Sequence, residues 1–292
     1  MEISFLDGLD AITALGVTPL SAKFLQLHGD YVHSRQQPDG GFPARHGTSD
    51  IYYTDFALRT LKICGDVRTV EGARGFCQQS FGIDIVTAFC QMNCARMLGD
   101  SIPDLSAIID RQRIAGGGYA RLGNTQVSAY ETFLAVLCYE IIGAKVPCAV
   151  DIPGAVKRLH CVDGGYSELS GAGVGQTNAT AAATAALLRC GVADTNSTKF
   201  LLNMQAADGG LMAHAGVGEG DLLSTYTGVL TLFNLDALGK LDLPAVGKFV
   251  RELALPAGGF RSSLRDSEAD IEYTYYGIGT LAILRAYLMA VA

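Results

Sequence analysis

The sequence predicts an all-α fold, a single α/α toroid (an α6/α6 barrel) of about six helix-pair repeats over residues 1–292. Three observations carry this expectation. A Gly-Gly phrase recurs between helical segments, a polar helix opening recurs after it, and the helix that follows each opening is apolar nearly all round. Self-similarity at a period of this size marks a repeat architecture, in which each unit buries its apolar face only against its neighbours.

Taken in chain order, the Gly-Gly phrase is strongest at Asp39-Gly40-Gly41-Phe42, Asp163-Gly164-Gly165-Tyr166 and Asp208-Gly209-Gly210-Leu211. Weaker copies stand at Gly116-Gly117-Gly118-Tyr119 and Ala257-Gly258-Gly259-Phe260. Glycine ends a helix by accepting a left-handed backbone that a side chain would penalise. The openings begin at Asp50, Asp84, Thr125, Gln176, Asp221 and Asp270, which are 34, 41, 51, 45 and 49 positions apart. A polar residue there caps the exposed amides of the next helix. Runs such as Thr180–Leu188 follow, and a helix apolar on all sides is a buried one. Their length and their Ala and Leu content favour helix over strand. Six buried helices with six outer partners suggest a closed double ring. The second repeat has the least certain register, because no Gly-Gly phrase follows Phe76-Cys77-Gln78-Gln79.

Composition narrows the function classes. A net charge of -7 leaves no basic surface for phosphate backbones, so nucleic acid is not an expected partner. No run reaches the roughly 20 apolar residues of a spanning helix, and the first residues carry acids where a signal peptide carries Lys or Arg. Cys64, Cys90, Cys94, Cys138 and Cys190 sit in apolar runs, as buried free thiols do. A reduced, cytoplasmic protein is expected.

The phrase Gln36-Gln37-Pro38-Asp39-Gly40-Gly41-Phe42 resembles the repeat signature of the prenyltransferase and squalene-cyclase superfamily, and the resemblance covers residues of about 20 to 290. It is nearest to the β subunits of protein prenyltransferases, which are single toroids of this length, through Val127-Ser128-Ala129-Tyr130 and the opening at Asp270. The resemblance implies an isoprenoid or similar apolar small molecule in a central cavity, and a helical α-subunit-like protein as a further partner. It also implies that the third and fourth residues of each opening face the ring centre: Tyr52 and Tyr53, Val86 and Thr87, Val127 and Ser128, Asn178 and Ala179, Leu223 and Ser224, Glu272 and Tyr273. With Tyr275 and Tyr276, the tyrosines of this set would cup an isoprenoid or a carbocation with their π faces, or fill the core with their hydroxyls satisfied.

The same resemblance implies a zinc held by an Asp and a Cys of one opening and a His of the next. Those positions hold Asp221, Leu223 and Tyr273, and leucine ligates nothing, so no cofactor is expected; zinc would rest on Asp221 alone, a residue that also suits a helix cap. The positions implied for a diphosphate clamp fall near Gln176, His214 and Val217, with little positive charge. In the cyclase branch, the middle Asp of an Asp-x-Asp-Asp motif protonates a polyene. The nearest phrase is Asp270-Ile271-Glu272-Tyr273, which makes Glu272, with Asp270 before it, the candidate catalytic acid. The expected function is isoprenoid binding, with prenyl transfer or terpenoid cyclisation. The alternative is a non-catalytic interaction scaffold derived from a β subunit.

Overall fold

A computed structural model describes residues 3–66, 70–79, 81–194 and 196–292. Among them are thirteen α-helices: α1 (Phe5–Val17), α2 (Ala22–His33), α3 (Ile51–Cys64), α4 (Val70–Cys77), α5 (Ile85–Leu98), α6 (Ser106–Asp110), α7 (Ala129–Ile141), α8 (Ile152–Lys157), α9 (Thr177–Arg189), α10 (Asn196–Leu202), α11 (Leu222–Asn234), α12 (Leu243–Leu253) and α13 (Ile271–Val291). The odd-numbered helices from α3 to α13 form the inner ring. Each packs on the next, and α13 closes the circle against α3. The even-numbered helices lie outside, α4 against α3 and α5, α10 against α9 and α11, α12 against α11 and α13. The expected all-α toroid is the observed fold.

The repeat phrase is explained by the joints it builds. In Asp163-Gly164-Gly165-Tyr166 the Asp163 carboxylate accepts from Gly165 N at 3.1 Å, and Gly164 takes the positive φ of 91° that the turn requires. A side chain on Gly165 would run into the Phe200 ring of the next outer helix. The residue after the glycines then donates its N–H to a threonine hydroxyl in the following inner helix. This occurs five times: Phe42 to Thr54, Tyr119 to Thr132, Tyr166 to Thr180, Leu211 to Thr225 and Phe260 to Thr274, at 2.8 to 3.1 Å. In each case the threonine stands four residues after the helix cap. In α5 that place is held by Ala88, so the second repeat lacks the joint.

The N-cap positions are Asp50, Asp84, Ser128, Gln176, Asp221 and Asp270, and all but Gln176 accept from an amide of the first turn. One opening therefore differs from the sequence reading: the third helix starts from Ser128, three residues after Thr125. The Thr132 joint holds it there, and the polar stretch 121–126 stays in the exposed loop before it. The eight cysteines are free, and Cys148 alone among them is exposed. No described helix is long and apolar enough to cross a membrane.

Helix α1 does not belong to the pairs. It lies across the C-terminal ends of the inner helices. Asp10 pairs with Lys62 at 2.8 Å and with Arg96 at 3.0 Å, Phe5 N donates to Glu140 at 3.1 Å, and Arg189 donates to Ile3 O at 3.3 Å. Gly16 lets the helix come close to α13, since any side chain there would strike the Ala282 carbonyl.

Candidate functional site

The ring encloses a cavity of about 790 Å3, within the roughly 300–1,000 Å3 typical of small-molecule sites. Its mouth is at the N-terminal ends of the inner helices, and α1 supplies Phe5, Leu6 and Leu9 at the other end. The third residue counted from each cap lines it: Tyr52, Val86, Tyr130, Asn178, Leu223 and Glu272. Inner helices tilt these positions toward the axis because their apolar faces on every other side are taken by neighbouring helices and the outer ring.

The walls are unequal. Helix α9 presents small and aliphatic side chains, Ala181, Ala182, Ala185 and Leu188, and α7 mixes Leu134 and Leu137 with Tyr130 and Phe133. Helices α3, α11 and α13 present aromatic rings, with Phe56 5.3 Å from Tyr276 and Tyr226 4.9 Å from Tyr276. Edge-on and tilted contacts of this kind hold rings rigidly. The Tyr226 and Tyr275 hydroxyls bond each other at 2.9 Å.

Of the residues singled out from sequence, Tyr52, Val86, Ser128, Asn178, Leu223, Glu272, Tyr275 and Tyr276 line the cavity. Glu272 Oε1 accepts from Tyr52 at 2.7 Å and from Tyr276 at 2.9 Å, and burial raises the Glu272 carboxyl above the usual carboxylate range despite both donors. Ser128 lines the rim while capping α7. Tyr53, Val127, Tyr273 and Asp270 stand outside the lining. Val127 precedes the cap of α7 and packs with Ala155 and Tyr166, a consequence of the shifted register. Tyr53 and Tyr273 are the fourth residues of their openings and lie one position round the helix from the axis. Asp270 caps α13 by accepting from Glu272 N at 2.8 Å and faces Arg45 Nε at 3.4 Å.

Gln176 and His214 are likewise outside the lining. Gln176 Oε1 accepts from Glu168 N at 3.2 Å, and His214 Nδ1 from Gly216 N at 3.2 Å in its own loop. Asp221 caps α11 through Ser224 N at 2.8 Å, and neither Leu223 nor any nearby cysteine or histidine completes a ligand set with it. Among the described residues no group of three His, Cys, Asp or Glu is placed to hold a metal. The residues at this position do not fit zinc.

Two charged groups escaped the sequence reading. Glu131, in the first turn of α7, is buried beneath the mouth, and its Oε2 has no hydrogen-bond partner. Burial, then the charges of Asp84 and Glu168, push its pKa to about 7, against a smaller opposing effect of Arg121. Glu168 is itself fixed by the Ser128 hydroxyl. Arg59 lines the inner part of the cavity and pairs with the buried Asp55. The threonine four residues after each cap was the available signal for Glu131, because it sets the register at Ser128. The Asp55–Arg59 spacing marks an i,i+4 pair on one helix, but nothing local marks its burial.

Comparison with known proteins agrees with this architecture. None of the curated proteins matches the chain. Among solved structures, a variant of the type II terpene cyclase MstE from Scytonema, in complex with geranylgeranyl dihydroxybenzoate, superposes with a TM-score of 0.65 at 12% identity, covering 98% of this chain and 100% of that one. Protein geranylgeranyltransferase-I of Candida albicans, complexed with GGPP, gives 0.50 at 13% identity, covering 94% and 83%. A polysaccharide lyase gives 0.55 at 11%, covering 92% and 97%. Likeness at such identities concerns the fold alone, which hosts more than one chemistry. The family model for the prenyltransferase alpha-alpha toroid domain matches residues 25–76, 83–220 and 151–291, so that nearly the whole ring is accounted for and the chain belongs to that family.

Proposed function

We propose that this protein binds an isoprenoid chain in its central cavity and acts on it by proton transfer at the mouth, with terpenoid cyclisation the favoured reaction. The observation that carries this reading is a cavity walled largely by aromatic rings, with two carboxyls whose protonated form burial favours, Glu272 and Glu131, on its rim side. Glu131, raised to about 7, both holds a proton and gives it up near neutrality, as general acid–base chemistry requires, and burial moves Glu272 in the same direction. The aromatic faces of Tyr52, Phe56, Tyr226 and Tyr276 suit a chain that gains positive charge. The printed ligands of two structural neighbours, GGPP and geranylgeranyl dihydroxybenzoate, support the substrate class. Prenyl transfer to a thiol is less well supported, because the residues at the zinc position offer one ligand, and the cations in the lining are Arg121 at the rim and Arg59, already paired with Asp55.

The test is thermal shift with geranylgeranyl diphosphate, farnesyl diphosphate, their alcohols and squalene, with and without zinc. Stabilisation by alcohols or squalene, unaffected by zinc, is the expected result. Turnover of a bound polyene should fall by about 100-fold or more in Glu272→Gln or Glu131→Gln, the usual worth of a general acid. Stabilisation confined to diphosphates, or dependent on zinc, would replace this reading with a transferase; silence toward every chain would leave the interaction scaffold.

A further inference from the structure

A second recess, of about 210 Å3, lies beneath α1. Phe5, Leu9, Ala185, Leu188, Leu230 and Asn234 line both this recess and the inner end of the central cavity, so one set of side chains stands between the two. Phe5, Ala185 and Leu188 are only half-buried, and that partition is not packed solid. Ile3 and Asn234, both exposed, stand on the surface side of the recess. It exists because α1 packs chiefly on α13 and α3, which leaves room where it passes the last turns of α9 and α11. The start of α1 is pinned in this position, by Arg189 Nη1 donating to Ile3 O at 3.3 Å and by Phe5 N donating to Glu140 at 3.1 Å.

The recess offers mostly hydrocarbon. Two of its polar side chains are engaged elsewhere, Ser4 Oγ with Asp7 at 2.7 Å and Arg189 with Glu140. Aliphatic surface facing water is unfavourable, and covering it with another hydrocarbon is what relieves it. Gly8 of α1 lines the recess and not the central cavity. A Cβ at Gly8 would meet only Ile3 Cγ2, at 4.0 Å, outside its own helix, whereas Gly16 further along the same helix is forced by the Ala282 carbonyl. Glycine weakens a helix relative to alanine, and packing does not call for it at Gly8. Its effect there is to keep the recess open.

We infer that the recess beneath α1 receives the far end of the ligand: a chain longer than C20 runs from the mouth through the central cavity and passes between Leu9, Leu188 and Leu230 into the recess, with Gly8 as the specificity-determining residue that leaves room for it. Helices α9 and α11 have thirteen residues each, which sets the depth of the ring at about 20 Å, a span that an extended C20 chain already fills. Further isoprene units need space beyond the inner helices, and the recess is where the structure provides it. The inference rests on the isoprenoid-cavity reading and deepens it, since it names the length of the chain and the place of its end.

The test measures equilibrium binding of two radiolabelled all-trans primary alcohols, C20 and C30, to the full chain and to its Gly8→Ala and Gly8→Phe variants. Both substitutions put a better helix former in place of glycine. In the parent protein the C30 alcohol should bind at least about tenfold more tightly than the C20 alcohol, because its further carbons are also buried. Gly8→Phe should leave C20 binding unchanged and abolish the C30 advantage, while Gly8→Ala should keep most of it. A C30 alcohol with a diazirine on its last isoprene unit should label the parent protein at Ile3, Ser4, Gly8 or Ile12, a readout that depends on no variant. The inference would be overturned, and the cavity reading left intact, by any of four results: no C30 advantage in the parent, a C30 advantage that survives Gly8→Phe, an equal loss of both chains in that variant, or label confined to the central cavity. Binding of neither alcohol would overturn both.

Discussion

The Tyr52 hydroxyl on the first inner helix donates to Glu272 Oε1 on the last at 2.7 Å, so this hydrogen bond spans the seam at which the ring closes. It joins residues that are neighbours only when all six repeats are in place. Tyr52→Phe should cost about 1.5–3 kcal/mol, the usual worth of a hydrogen bond to a charged group. Glu272→Gln keeps an acceptor for both tyrosines and should cost less. Urea denaturation of the two single variants and the double variant will show coupling between the positions. Independent, additive losses would mean that the seam bond contributes nothing to closure.

Glu131 should make the protein less stable as pH rises toward neutrality. Its carboxyl titrates near 4.5 in an unfolded chain and at about 7 in the folded one, so the native state binds the extra proton between those values. Stability is then fully present below pH 4.5 and falls as pH rises through 7. Glu131→Gln should remove that slope, and its advantage over the parent protein should grow from pH 5 to pH 8. Parallel stability curves for the two proteins would place the Glu131 proton elsewhere.

His28 has the opposite sign. It is buried beside Phe24 and Phe260, its Nδ1 accepts from Gly259 N at 2.9 Å, and burial lowers its pKa to about 4. The unfolded chain takes up a proton near pH 6.5 and the native state does not. Stability is therefore complete above pH 6.5 and drains away as pH falls to 4, by up to about 3 kcal/mol. Since this bond ties α2 to the last Gly-Gly turn, the loss should appear first there in amide exchange. His28→Asn should be nearly flat over the same interval.

The threonine joints can be weighed singly. Thr180→Val preserves shape and removes the hydroxyl that meets Tyr166 N at 2.8 Å, leaving a buried N–H unpaired. A loss of about 1–3 kcal/mol is expected in chemical denaturation. Ala88→Val, at the matching place in α5 where no such bond exists, should show no loss of this origin; equal losses at both sites would assign the effect to packing.

The ring could be read from the sequence because its joints are local. Asp163, Gly164 and Thr180 each do a job set by residues close in the chain, and Gly165 one set by the next outer helix, and the jobs recur. Register at the third opening was harder, because polar Thr125 and Gln126 mimic a cap while lying in a loop. That slip moved the cavity positions from Tyr130 and Glu131 to Val127 and Ser128. The carboxyl of Glu131 is perturbed by Asp84 and Glu168, which belong to other repeats, and no local pattern reveals such a meeting. Arg59 is harder still. An arginine in the third turn of a helix reads as a solvent-facing residue paired with Asp55 four positions before it, and only the assembled ring buries that pair and adds the rings of Phe89 and Tyr275.

The floor of the chamber has a consequence for how the molecule assembles. Residues 5–17 leave the ribosome before any wall they will rest on, and their last wall is residues 271–291. Contacts so distant in sequence must repay a loop-closure cost before they stabilise anything, and they form late. Phe5, Leu6 and Leu9 are thus exposed on a nascent amphipathic helix through the whole of synthesis. The basic residues that meet its acids, Lys62 and Arg96, sit on two separate repeats, and Arg189 on a third meets the Ile3 carbonyl just before it, so the helix finds a complete seat only after those repeats have docked side by side. A segment made before its walls is thus the one that folding seats last.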